Sequence, residues 1–234
     1  KAFDALIQHA TDKLAETGKA QGILFIIDGT DRLNRDDADR FFIRDIHQLR
    51  EIEKADFIYC APNSIVFDHG QAGQNFDDRF RLPMIKLNSK SGDEQFPQAR
   101  AALHQFIPRR LPQPCFADDA VIDSLIDCSG GHPRDLLRLL NFCLQQLDEG
   151  PITQEVADKA SKKLSLEYRR LVQPDDYNFL VEIDNTAPEH VPATEQARRL
   201  LHDLVLLEYN SYWWRSHPAV QALDAYQQAR NKAQ

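Results

Sequence analysis

The sequence predicts an α/β protein: a core with a parallel sheet, then an all-helical segment, then helices closed by a small hairpin. Three observations carry this. Ile23 to Ile27 are five consecutive apolar residues that run straight into Asp28, as expected of a parallel strand buried on both faces. Helix-period and strand-like segments alternate through the first 110 residues, the pattern of a parallel sheet with crossover helices. Beyond the closely spaced Pro108, Pro112 and Pro114 the apolar spacing becomes almost wholly helical. The expected domains are therefore 1–110, 111–171 and 172–234, with a hinge at Arg109 to Pro114.

Phe3, Leu6, Ile7, Ala10 and Leu14 recur at helical spacing and Gly18 ends the pattern, which gives a helix over 2–17. After the strand that ends at Asp28, Asn34 is placed to cap a helix over 36–52, whose stripe is Phe41, Phe42, Ile46 and Leu49. Asp56 to Ala61 reads as a second buried strand. Residues 68–79 are polar and hold two glycines, so a mobile loop is expected. Pro83 to Leu87 reads as a third strand and 94–107 as a helix. Then come helices over 118–128, 133–148 and 153–171. The buried side of the second is expected to hold Leu136, Leu137, Leu140, Cys143, Leu144 and Leu147. Pro133 starts that helix, and Thr153 offers a capping signal for the third. Helices over 175–183 and 193–206 precede a hairpin from Leu207 to Trp214 with an Asn-bearing turn, and His217-Pro218 opens a terminal helix.

Composition narrows the function classes. With 28 Lys and Arg against 36 Asp and Glu the net charge is −8, which argues against a dedicated nucleic-acid or anionic-membrane binder. No apolar run approaches a membrane span, so no membrane partner is expected. Cys60, Cys115, Cys128 and Cys143 form no Cys-x-x-Cys pair and read as reduced core thiols of a cytoplasmic protein. The chain opens Lys1-Ala2-Phe3 with neither Met nor a signal-peptide pattern, the expectation for a fragment.

Three signatures follow one another in an order that resembles AAA+ and STAND-type P-loop ATPases. The first is Ile26-Ile27-Asp28-Gly29-Thr30-Asp31-Arg32-Leu33, similar to a Walker B strand. The second is the strand ending Ala61-Pro62-Asn63-Ser64, where the family has its sensor 1 residue. The third, Ser129-Gly130-Gly131-His132-Pro133-Arg134-Asp135-Leu136-Leu137, looks like the sensor 2 motif of a helical lid. The lid is most similar to those of origin-recognition and bacterial STAND proteins, and the hairpin beyond it resembles the wing of a winged-helix domain. The resemblance implies a partial P-loop core, a lid and a winged helix that bind ATP and Mg²⁺ and couple nucleotide state to oligomer assembly or to an effector protein.

The resemblance assigns the candidate residues. Asp28 would hold Mg²⁺, or else cap the following turn. Asp31 would position the attacking water, or else pair with Arg32 or Arg35. Asn63 would sense the γ-phosphate, or else serve as an ordinary turn residue. Arg134, presented by Gly131 and Pro133, would bind the cofactor, or else pair with Asp127 or Asp135. Arg79 or Arg81 would be an arginine finger, or else a solvated charge. Two departures stand out. The phosphate loop G-x-x-x-x-G-K-[ST] is absent, since Gly18-Lys19-Ala20 lacks the upstream glycine and the hydroxyl, so little hydrolysis is expected of these residues alone. Gly29 also stands where many members carry a catalytic Glu.

Two other roles compete. One is a non-catalytic winged-helix module that contacts protein. The other is a DNA-binding regulator, with Tyr212, Trp213 and Trp214 stacking on bases rather than closing the hairpin core. The last 64 residues carry five Lys and Arg against nine Asp and Glu, which disfavours duplex binding. His132 is expected to pack at the lid turn rather than to ligate a metal, because no partner ligand sits at a recognisable spacing.

Overall fold

A computed structural model describes residues 2–18, 22–50, 52, 55–67, 75–147, 149–210 and 213–233. It is a mixed α/β structure, mostly helical, and it divides into two compact units, 1–81 and 82–234. The boundaries expected at 110/111 and 171/172 both fall inside the second unit.

The first unit holds helix α1 (Ala2–Glu16), strand β1 (Leu24–Ile27), a long helix α2 and strand β2 (Asp56–Tyr59). Helix α2 is α-helical over Arg35–Asp39, widens to a π-helix over Arg40–Asp45 and returns to α over Ile46–Arg50. Asn34 caps it as expected, its side chain accepting from Asp37 N at 3.0 Å. Phe42 and Ile46 are buried; the side chain of Leu49 lies outside the described residues. The two strands pair in parallel with Ile26 opposite Ile58. Phe25, Phe57 and Tyr59 stack on one face, where Phe3 of α1 and Phe41 of α2 meet them.

The expectation of strands buried on both faces is corrected: Ile26 is 65% and Ile58 51% exposed. Side chains alternate along a strand, and the helices of this unit cover one face. The third strand expected at Pro83 to Leu87 does not form. Pro83 has no N–H to give a ladder, and Met84 and Ile85 donate instead to Glu208 O (2.9 Å) and Gly131 O (3.1 Å). This segment therefore belongs to the second unit. Most of the loop expected at 68–79, residues 68–74, lies outside the described residues, as does Lys19.

The second unit holds α3 (Pro97–Phe106), α4 (Asp119–Cys128), α5 (Pro133–Gln146), α6 (Gln154–Arg169), α7 (Asp176–Thr186) and α8 (Glu195–His202). These are followed by the antiparallel pair β3 (Leu206–Asn210) and β4 (Trp213–Ser216), then α9 (Pro218–Gln221) and α10 (Asp224–Ala233). The helix and hairpin expectations hold with ends moved by a few residues, except that the one terminal helix expected after His217-Pro218 is two, α9 and α10. Ser211, part of the expected Asn-bearing turn, and Tyr212 lie outside the described residues.

Ile122, Leu125, Ile126, Leu136, Leu139 and Leu164 are fully buried where α4, α5 and α6 pack. The buried apolar residues of α5 are Leu136, Leu139, Leu140, Phe142 and Cys143, whereas Leu144, expected inside, is 48% exposed; it sits one step round the helix from Cys143. Asp118 caps α4 through Val121 N. Thr153 makes no side-chain cap to α6, contrary to expectation, and Ala157 N bonds its backbone oxygen instead.

Candidate functional site

Within the first unit the parallel strands end together, and their carboxyl ends gather Asp28, Asp31 and Cys60. Asp28 Oδ1 accepts from Gly29 N at 2.8 Å, so part of that carboxylate caps its own turn. Thr30 Oγ1 donates to Cys60 O at 2.6 Å and ties the two strand ends together. Burial raises the Cys60 thiol pKa, and the carboxylates of Asp28 and Asp31 raise it further. Asn63 opens the short 3-10 helix Asn63–Phe67 just beyond β2. The acids thus sit where open α/β sheets bind ligands. Gly29 adopts φ +84, a left-handed conformation that a Glu at this position would hold only under strain. Arg79 and Arg81, farther along the chain, are exposed.

Gly131, Pro133 and Arg134 lie in the second unit. Gly130 and Gly131 both have positive φ, +61 and +76. A Cβ on Gly131 would come within 1.9 Å of Ile85 O. The Gly131 amide donates to Ser129 Oγ (3.2 Å) and its carbonyl accepts from Ile85 N. Both of its backbone groups therefore serve the fold. Pro133 occupies the first turn of α5, and Arg134 is exposed on that same turn. Of the acids weighed as its partners, Asp127 pairs with Arg100 and Asp135 with Arg138. Arg134 lines a groove of about 400 Å³ with Arg138, Glu167, Arg170 and Asp203.

Beneath Arg134 is a cluster that sequence reasoning missed. Asp135 is fully buried. Its Oδ1 accepts from Arg138 at 2.5 Å, and its Oδ2 accepts from Tyr168 Oη at 2.6 Å. His132 Nδ1 lies 2.9 Å from the same Oδ2. His217 Nε2 is 3.1 Å from it, off the line of a well-formed hydrogen bond. The Tyr168 ring stacks on the His217 imidazole, centroids 4.3 Å apart. Burial works to raise the Asp135 pKa, but the His132 and His217 imidazoles facing the carboxylate hold it well below the usual carboxylate range. Burial pushes His217 down from 6.5 despite Asp135 beside it. The same burial, with Asp135 adjacent, pushes the Tyr168 hydroxyl far up.

His132, Asp135 and His217 present ligand atoms within 4.8 Å of one another, which corrects the expectation that His132 has no partner ligands. The i, i+3 step from His132 to Asp135 was a readable signal; His217, far along the chain, carried none. The hydrogen bonding nevertheless opposes a metal. His217 Nδ1 accepts from Ala219 N at 3.0 Å, so the neutral ring carries its proton on Nε2, the atom a metal would need bare. Asp135 already satisfies several donors without an ion. The arrangement is a proton-held junction joining α5, α6 and the start of α9.

The hairpin aromatics close a core. Trp213 stacks on Tyr209, centroids 4.4 Å apart, and Trp213 and Trp214 are both buried; Tyr212 lies outside the described residues. Tyr209 Oη donates to Gly130 O at 2.6 Å and pins the hairpin to the double-glycine turn. Arg199, one of the two cations available to a DNA-reading α8, donates from one guanidinium nitrogen to both carboxylate oxygens of Asp176, at 2.6 and 2.7 Å.

Set against protein-family models, curated proteins and solved structures, the chain matches none. Among the described residues no helix is long and apolar enough to cross a membrane.

Proposed function

We propose that this chain is the sensing and relay part of an AAA+/STAND-type nucleotide switch. Asp28 is its Mg²⁺-side carboxylate, Asp31 and Asn63 are its polar groups toward the attacking water, and Arg134 is its γ-phosphate sensor. Bound Mg²⁺-ATP would supply the charge that Arg134 reads. The observation that carries the reading is the junction at Asp135. Arg134 projects from the first turn of α5, and the very next residue locks that turn to α6 and to His217 at the foot of the hairpin. A charge felt at Arg134 is thereby passed to the hairpin, whose displacement would be felt by an effector or a second subunit, without an intervening loop to absorb it.

Asp28, Asp31 and Asn63 suit the role by their place at the carboxyl end of β1 and β2. These residues bring no phosphate loop, whose lysine and amides carry most phosphate affinity in such proteins. The test is therefore binding of a fluorescent ATP analogue with Mg²⁺ by the complete protein. Arg134→Ala and Asp28→Ala should each weaken it about tenfold or more, the loss of one charge-assisted contact of about 1.5–3 kcal/mol. Unchanged binding in both variants would remove the nucleotide reading. The salt bridge from Arg199 to Asp176 favours protein over duplex DNA as the partner of the hairpin unit.

A further inference from the structure

His217 is fully buried, yet it does two jobs through its two ring nitrogens. Nδ1 accepts the Ala219 N–H and so caps α9. Nε2 faces the Asp135 carboxylate. The residue after it, Pro218, packs against the double-glycine turn so tightly that a Cβ on Gly130 would lie 2.7 Å from Pro218 Cδ. Helix α9 also packs on α6. One imidazole thus fastens the hairpin's exit to the start of α5.

A neutral imidazole has one lone pair. With the proton on Nε2, that lone pair is the one the Ala219 amide uses. A second proton can enter only at Nδ1, where it would face another N–H. We propose that His217 is a proton-operated clasp: neutral, it holds α9 against the 129–132 turn, and protonated at Nδ1 it lets go of the Ala219 amide and frees the foot of the hairpin.

The surroundings set the balance. From α5 and the turn before it, His217 is faced by His132, Asp135 and Arg138. From α6 it is faced by Tyr168 and, through Arg138, by Glu167. On α7, Asp184 accepts the neighbouring Ser216 N–H at 2.9 Å. Burial opposes the charged ring most and the Arg138 cation opposes it too, while the Asp135 carboxylate favours it, and the net effect is to keep the ring neutral. Acidification therefore works against the clasp, in the range where histidine charges. Nothing in this depends on nucleotide.

The test is NMR of the nucleotide-free protein between about pH 7.5 and about pH 5. The His217 ring resonance and the Ala219 amide should shift along one curve. Over that curve the Ala219 amide should lose about fivefold in exchange protection, and Trp213 and Trp214 fluorescence should change with it. His217→Asn keeps an oxygen for the Ala219 amide and takes no proton, so its Ala219 amide and fluorescence should stay flat. Should that variant fail to fold, the coupling of the two wild-type resonances decides alone. A static Ala219 amide while His217 titrates overturns the proposal, and so does a curve that survives in His217→Asn. Zn²⁺ that raises the melting temperature of wild type but not of His217→Asn also overturns it, by making the cluster a metal site.

Discussion

At the scale of the residue, Asp135 shows how much one buried charge can organise. An ionised carboxylate inside a protein is tolerated when its lone pairs are taken up, and here Arg138, Tyr168, His132 and His217 all turn toward it. Asp135→Ala strands those donors in a dry interior and should cost about 3–5 kcal/mol. Asp135→Asn retains one carbonyl oxygen and should cost clearly less. Glu167, whose side chain is 40% exposed, also pairs with Arg138, but water competes there, so Glu167→Gln should cost under about 1 kcal/mol. Urea unfolding at neutral pH gives all three values. An Asp135→Ala cost near that of Glu167→Gln would mean that water reaches the junction and that the carboxylate organises little.

At the scale of the element, two glycines with similar backbone angles have different reasons. Gly29 has φ +84 and open space for 4 Å around the point where a Cβ would stand, whereas Gly131 has φ +76 with Ile85 O at 1.9 Å from that point. Gly29→Ala should therefore cost about 1–2 kcal/mol, the left-handed strain alone. Gly131→Ala adds a collision with backbone that cannot step aside without breaking the bond from Ile85 N, and should cost more than Gly29→Ala in the same thermal melt. Equal losses would show that the 83–87 segment yields freely. The contrast also marks what the sequence could and could not reveal. Local signals were legible: the apolar run of β1, the Asn34 cap, the Gly-Gly-x-Pro start of α5, and the aromatic-rich strands of the hairpin. Each depends on residues a few positions apart. What went unread depended on distant partners. Pro83 to Leu87 looked like a strand because its composition is apolar, but its amides are claimed by Gly131 and Glu208. Strand β1 looked doubly buried because a run of apolar residues does not say how many layers cover it. His217 looked like the start of a helix and nothing more, since the Asp135 it meets is brought to it by packing among α5, α6 and the hairpin.

At the scale of the whole molecule, the buried titratable groups give stability a dome-shaped dependence on pH. The folded pKa of His217 lies below its ordinary 6.5. Between those two values the unfolded chain binds a proton that the folded chain refuses, so stability falls as pH drops below about 6.5 and levels off beneath the folded value. Asp135 is held below its ordinary 3.8, so its contribution is complete above that value and is lost as pH falls further. On the alkaline side burial pushes the Cys143 thiol from 9.0 up to about 12. There the folded chain keeps a proton that the unfolded chain gives up, and stability falls as pH rises through that interval. Each single-proton limb can be no steeper than about 1.4 kcal/mol per pH unit. Urea midpoints taken across the range should therefore show a plateau near neutrality with a first acid shoulder below about pH 6.5 and a second below about pH 4. His217→Asn should erase the first shoulder and leave the second, because Asp135 keeps its other donors. Midpoints that superimpose for wild type and His217→Asn through the first shoulder would assign that shoulder to another histidine and detach the acid response from the junction beneath Arg134.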